Sequence, residues 1–162
     1  AIEEAVRRVA SIAVVHETLS TSYKDSVAFD EVITKIAKNA LELSQRASEI
    51  KIIHSGEFGE IPSIVATPLA LVVTELIHNA LEHGVAEAGT SVEIRAIRSG
   101  RAMTVIVADD GVGLPEGFDL EKNTSLGLQI VKTLTANELA GTIAFRRREQ
   151  GTEIEINFDL PK

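Results

Sequence analysis

The segment from Pro68 to His83 constrains the fold of this chain more than any other. Drawn as a helix, it carries Val72, Val73, Leu76, Ile77, Ala80 and Leu81 around most of its circumference. Glu75, Asn79, Glu82 and His83 fall at i, i+4, i+7 and i+8, a single stripe. A helix apolar on nearly every side has to be buried, and a carboxylate and an amide carried inside with it need partners. Thr67 and Pro68 read as its cap and first residue, and Gly84 stops it. Its longest apolar run, Leu69–Leu76, contains Thr74 and closes on Glu75, well short of a bilayer span.

The flanking sequence supplies what would cover such a helix. Ile2, Val6, Val9, Ile12, Ala13 and Leu19 have helical spacing over 2–19, until Ser20, Thr21 and Ser22 break it. A second amphipathic helix, capped by Asp30, carries Val32, Ile33, Ile36, Ala40, Leu41 and Leu43. Residues 50–54 read as a strand, and Gly56, Gly59 and Pro62 mark a loop. Strands over 92–98 and 103–108 meet at a tight turn at Ser99-Gly100. A Gly- and Pro-rich loop from Asp109 to Thr124 leads into a helix over 125–137. Strands over 141–147 and 152–158 form a hairpin around Glu149-Gln150-Gly151. Hairpins with separated helices predict an α+β two-layer sandwich, a mixed, mostly antiparallel sheet covered on one face by helices. Regular β-α-β alternation is absent, which excludes a doubly wound fold.

With 162 residues, 44% of them hydrophobic, the chain is long enough to bury such a core. It has no cysteine and therefore no disulfide or thiolate metal site. A net charge of −8 argues against general nucleic-acid binding. Arg146-Arg147-Arg148 fits a solvated hairpin edge. The N-terminus carries Glu3 and Glu4 where a signal peptide carries bases, so a cytoplasmic location is expected. No Met and no capping residue precede Ile2, from which a piece of a longer protein is expected.

Four local patterns carry chemistry. In the first, the stripe on the buried helix fits a water-facing edge or a site. In a site, Asn79 offers an oxygen to Mg²⁺ and Glu75 positions or deprotonates a nucleophile. In the second, a strand runs directly into Asp109-Asp110-Gly111-Val112-Gly113. A carboxylate at a strand end can accept from an exocyclic amine such as that of adenine, with glycines leaving room for a flat base; an acidic turn is the plainer alternative. In the third, Thr124-Ser125-Leu126-Gly127-Leu128 enters a helix whose first-turn N–H groups suit a phosphate, with Lys122 and Lys132 near in sequence. A capped helix start with Gly127 needed for packing is the plainer alternative, and no P-loop motif occurs. In the fourth, Gly151-Thr152 opens the last strand, where the Thr152 hydroxyl faces either a base or only a turn.

Taken in order, these patterns resemble the motif series of the GHKL ATPase superfamily over residues 60–160. Glu75 to Asn79 resembles its N box, Asp109 to Gly113 its first glycine box and Ser125 to Leu128 its second, with Ser125 where many members carry glycine. The resemblance implies ATP as substrate, with Asp109 and Thr152 on the adenine and Asn79 on Mg²⁺. It places Glu75 near the γ-phosphate as the catalytic residue. Gly111, Gly113, Gly127, Leu126, Leu128, Ser125, His83 and Lys122 would shape the nucleotide pocket, and a short mobile lid would lie between Leu114 and Thr124.

The N-terminal part resembles HisKA_2-type sensor histidine kinases, and among them actinobacterial cytosolic ones. That likeness rests on Val6–Leu19, on Phe29-Asp30-Glu31-Val32 and on Gly117-Phe118 with Leu120-Glu121-Lys122. It implies residues 1–22 as the remnant of a dimerisation helix and 23–162 as the ATP-binding catalytic domain. The acceptor motif of that family, like H-R-V-K-N, is absent. His16 matches a packing position, and neither His54 nor His78 has an acceptor context. The chain is therefore expected to transfer the ATP γ-phosphate to a histidine it does not contain. Its partners would be its own dimerisation helices and a response regulator, of the RNA-binding antiterminator type by resemblance. The alternatives are an anti-sigma-factor-type serine kinase, against which the helical N-terminus argues, and a nucleotide-sensing docking module.

Overall fold

A computed structural model describes residues 2–20, 25–85, 88–122 and 125–162, apart from the side chain of Glu4. The elements are α1 (Ile2–Ser20), β1 (Ser26–Ala28), α2 (Phe29–Glu42), β2 (Lys51–Ser55), β3 (Glu60–Pro62) and α3 (Ser63–Asn79). A π-helical turn, Ala80–Gly84, extends α3. Then follow β4 (Ser91–Ser99), β5 (Ala102–Asp109), α4 (Leu126–Asn137), β6 (Thr142–Arg147) and β7 (Thr152–Asp159).

Five strands form one sheet in the order β2-β4-β5-β7-β6. Only β2 and β4 pair in parallel; the other neighbours are antiparallel. Period-two alternation turns Val92, Ile94 and Ala96 of β4, Val105 and Val107 of β5, and Ile154, Ile156 and Phe158 of β7 into the core. The helices cover that face, with α3 packed between α2 and α4. This is the α+β sandwich expected, and α3 is its buried centre, with Leu69, Val72, Val73, Leu76 and Ile77 fully buried. By length and composition Ser63–Gly84 is apolar enough to cross a membrane, yet 72% of its most apolar window is buried within this fold.

Several local expectations are corrected. Helix α3 starts at Ser63, so Thr67 and Pro68 lie inside it. The proline ring removes the donor that would reach the carbonyl of Ile64, an exposed residue whose carbonyl water can serve. Asp30 does not cap its own helix, which begins at Phe29. Its carboxylate accepts instead from the N–H groups of Phe58 (2.9 Å) and Gly59 (2.8 Å), pinning the loop ahead of β3. That loop holds a strand, because β3 pairs antiparallel with β1. The β4–β5 turn falls on Gly100-Arg101, since Ser99 pairs with Ala102. Thr21, Ser22 and Thr124 lie outside the described residues.

Helix α1 docks across α2 and α3. Val15 is in the core and Ser11 is buried, its hydroxyl 3.3 Å from His78 Nε2. Arg7 pairs with Glu82, and Arg8 makes a two-pronged pair with Glu75.

Candidate functional site

A cavity of about 460 Å³ opens between α3, the N-terminus of α4 and the inner faces of β5, β6 and β7. Asp109 forms its polar floor, at the last position of β5 and 6% exposed. Its Oδ1 accepts from Gly111 N–H at 3.0 Å, and Thr152 N–H also bonds the carboxylate. Burial pushes the Asp109 carboxyl above its ordinary range, against the pull of those two N–H groups. A buried carboxylate lining a mostly apolar cavity is a ready acceptor for a ligand N–H.

Close backbone approach builds this floor. A Cβ at Gly84 would lie 2.5 Å from Asp109 Cγ, and one at Gly111 would overlap the Gly84 carbonyl. Gly113, at φ +80, turns the chain out of the site in a conformation side chains rarely adopt. Asp110 points away from the cavity. Its Oδ1 accepts from the N–H groups of Thr90 and Ser91, both at 2.9 Å, tying the loop before β4 to the end of β5. Burial pushes the Asp110 carboxyl up, but those bonds outweigh it and hold the group below its ordinary range.

The walls are mostly apolar: Leu76 and Ala80 from α3, Val107, Leu128, Ile154, and Val112, Leu114 and Pro115 of the loop. Phe118 of that loop stacks on Phe145 of β6, with centroids 5.3 Å apart at 16°. Arg147 donates to the Pro115 carbonyl at 2.8 Å and Lys132 to that of Leu120 at 3.0 Å, fastening the loop to the body.

Of the residues singled out in the sequence, Asn79, His83, Asp109, Gly113, Ser125, Leu128 and Thr152 line this cavity. Gly111 and Gly127 shape it from behind. Gly127 lets α4 approach α3, since a Cβ there would sit 2.8 Å from Glu75 Oε2, 3.2 Å from Arg8 Nη2 and 3.8 Å from Asn79 Oδ1. The structure does not bring Glu75, Leu126 or Lys122 to the cavity wall. Glu75 and Leu126 border a neighbouring groove with Ser11 and Ile12 of α1. The Lys122 side chain is 85% exposed, 4.0 Å from Asp119. Beside Glu75, burial lowers the proton affinity of His78, opposed by the charges of Glu75 and Glu82. Sequence reasoning missed Arg8 and Phe145, which no spacing links to the motifs. Gly84 carried a signal, but as a helix stop.

A cavity this size, with one buried acceptor and apolar walls, suits a flat heterocycle bearing an amine. At its far end Asn79 and the α4 N-terminus offer an oxygen and oriented N–H groups to phosphates. Among the described residues no cluster of three or more His, Cys, Asp or Glu side chains could hold a metal. Mg²⁺ typically takes only one or two protein ligands and the rest from phosphate and water, so Asn79 fits that need.

Residues 64–162 match the family described as histidine kinase-, DNA gyrase B-, and HSP90-like ATPase, and residues 1–44 match HisKA_2, histidine kinase. The chain is 48% identical over 159 residues to the sensor histidine kinase PdtaS of Mycobacterium tuberculosis, covering 96% of this chain and 32% of that protein. It is 44% identical over 146 residues to PdtaS of Mycolicibacterium smegmatis, covering 88% and 29%. It thus spans about a third of the length of these curated relatives. The histidine kinase domain of the blue-light-activated histidine kinase EL346 of Erythrobacter litoralis superposes with a TM-score of 0.80 at 26% identity, covering 96% of this chain and 74% of that one.

Proposed function

The chain belongs to the histidine kinase-, DNA gyrase B- and HSP90-like ATPase family, and on that premise we propose that it is the ATP-binding catalytic domain of a sensor histidine kinase. The observation that carries this reading is the buried Asp109 carboxylate, pinned by Gly111 and Thr152 at the floor of an otherwise apolar cavity. Adenine enters that cavity with its exocyclic amine on Asp109 and its face toward Leu76, Val107 and Ile154. The Phe118–Phe145 stack closes the outer side. The phosphates then run toward Asn79 and the first turn of α4, where Ser125, Leu126 and Gly127 offer backbone N–H groups. Asn79 would hold Mg²⁺, which would supply positive charge against that developing on the phosphates. Glu75, one helical turn from Asn79, orients the acceptor imidazole in this proposal. Transfer forms an N–P bond on that histidine and breaks the bond between the γ-phosphorus and the bridging oxygen, releasing ADP.

The match of residues 1–44 to HisKA_2 supports histidine over serine as acceptor. The same likeness supports a dimer and a response regulator as partners; that the regulator is of the RNA-binding antiterminator type and the setting cytoplasmic is part of this proposal. The deciding experiment supplies γ-labelled ATP, Mg²⁺ and a separate helical segment bearing an acceptor histidine. Acid-labile, base-stable label on that segment alone is expected, with none on the chain itself. Acid-stable label on serine would overturn the reading. ATP binding without transfer would leave a docking module.

A further inference from the structure

The phosphate end of the site lacks an obvious cation. The described residues lining the cavity include no lysine or arginine. Lys122 is exposed beside Asp119, and the Lys132 amine is engaged by the Leu120 carbonyl. The chain as a whole carries a charge of −8. A nucleotide triphosphate brings several negative charges, more than one divalent ion offsets, and phosphate sites ordinarily add an arginine or lysine.

One guanidinium does reach this end, and it comes from α1. Arg8 Nε donates to Glu75 Oε1 at 3.0 Å and Nη2 to Oε2 at 3.3 Å, with only 14% of the Arg8 side chain exposed. The point where a Cβ would sit on Gly127 is 3.2 Å from Arg8 Nη2, 2.8 Å from Glu75 Oε2 and 3.8 Å from Asn79 Oδ1. The α1 cation, the proposed catalytic carboxylate, the proposed Mg²⁺ ligand and the first turn of α4 therefore converge within a few ångströms. Three further contacts hold α1 in this register: the Arg7–Glu82 pair, the Ser11–His78 contact and buried Val15.

We propose that Arg8 is a nucleotide ligand, its guanidinium contacting the terminal phosphate of ATP at the α4 N-terminus while Glu75 holds it in place. This rests on the ATP reading of the cavity. The planar fork of arginine matches phosphate oxygens, and a guanidinium kept half-dry by Glu75 loses little hydration on meeting one. An arginine carried on the HisKA_2-matching helix would make the phosphate site complete only when α1 is docked. Nucleotide affinity would then report α1 docking. Because the contact is to the terminal phosphate, it discriminates ATP from ADP.

The test is calorimetric titration of MgATP and MgADP into the 162-residue chain and its Arg8→Ala and Arg8→Lys variants. Arg8→Ala is expected to weaken ATP about 10- to 100-fold, the range for losing a hydrogen-bonded charge, while ADP stays within about threefold. Arg8→Lys should restore part of the ATP preference, since it keeps the charge and loses the fork. An unchanged ATP-to-ADP ratio in an Arg8→Ala protein that retains its ADP affinity would overturn the proposal, leaving Arg8 as a restraint on Glu75. Should Arg8→Ala lose ADP as well, α1 docking has failed. Arg8→Lys then decides: retained ADP binding with weakened ATP supports the ligand role, and wild-type affinity for both overturns it. Absence of ATP and ADP binding to the unaltered chain would instead refute the reading of the cavity itself.

Discussion

Replacing Gly84 by alanine separates the demands of the helix from those of the site. Gly84 ends the π-helical turn after α3, and its φ is not in the left-handed region. On backbone grounds alone, alanine there should stabilise the fold by about 0.5–1 kcal/mol, through higher helical propensity and a less flexible unfolded chain. The surroundings reverse that sign. The new Cβ would lie 2.5 Å from Asp109 Cγ, 2.6 Å from Oδ2 and 2.7 Å from Oδ1, about an ångström inside van der Waals contact. Asp109 cannot yield cheaply. Gly111 and Thr152 N–H groups fix its carboxylate, and a Cβ at Gly151 would already crowd its Oδ1 at 2.9 Å on another side. Swinging it out gives up one or two charge-assisted bonds, about 1–3 kcal/mol, so the fold is expected to be unchanged or slightly weakened. Binding suffers more, because the displaced carboxylate is the proposed adenine acceptor, and a loss of about 10- to 100-fold in ATP affinity is expected. Thermal unfolding and MgATP titration of the same sample read both quantities. A Gly84→Ala protein that melts higher than the parent and binds ATP equally well would refute this account of the floor.

Two further outcomes follow from the same geometry. Asp110 has its carboxyl held below the ordinary range in the folded chain, so its bonds to Thr90 and Ser91 contribute stability that is present above about pH 4 and lost as pH falls through the folded value. Asp110→Asn should therefore lower the melting temperature at pH 7, with the gap to the parent closing as acid protonates the parent's carboxylate; a gap independent of pH would contradict this. Phe145→Ala removes half of the stacked pair at the cavity's outer side. It should weaken ATP and ADP alike by about 2- to 10-fold, as titration of each nucleotide would show.

The extent to which the sequence exposed this molecule follows the range of the interactions involved. Helix α3 was legible because its apolar residues are local and numerous, and the two hairpins because alternation and turn residues lie side by side. Asp109 was legible for a related reason: strand, carboxylate and glycines are consecutive. The β1–β3 ribbon was not, since strands of three residues carry no period and their partners stand far apart in the chain. Thr67-Pro68 imitated a helix start, yet α3 begins at Ser63 because Val65 and Ala66 are buried with the rest of the helix. The Arg8–Glu75 pair joins residues 67 apart, and the Phe118–Phe145 stack joins a loop to a strand across α4. Contacts of that kind exist only once the layers have packed. Arg8 and Phe145, the candidate site residues on such contacts, are the ones that pattern reading passed over.

Titration of MgATP into the parent chain and into Asp109→Asn asks whether the cavity over Asp109 is an ATP site. Saturable one-site binding to the parent is expected, with a loss of about 10- to 100-fold in the variant and its fold intact, because an asparagine offers adenine one neutral acceptor in place of a carboxylate. Equal binding by both proteins would refute the ATP site, as would a parent that folds and takes up no nucleotide.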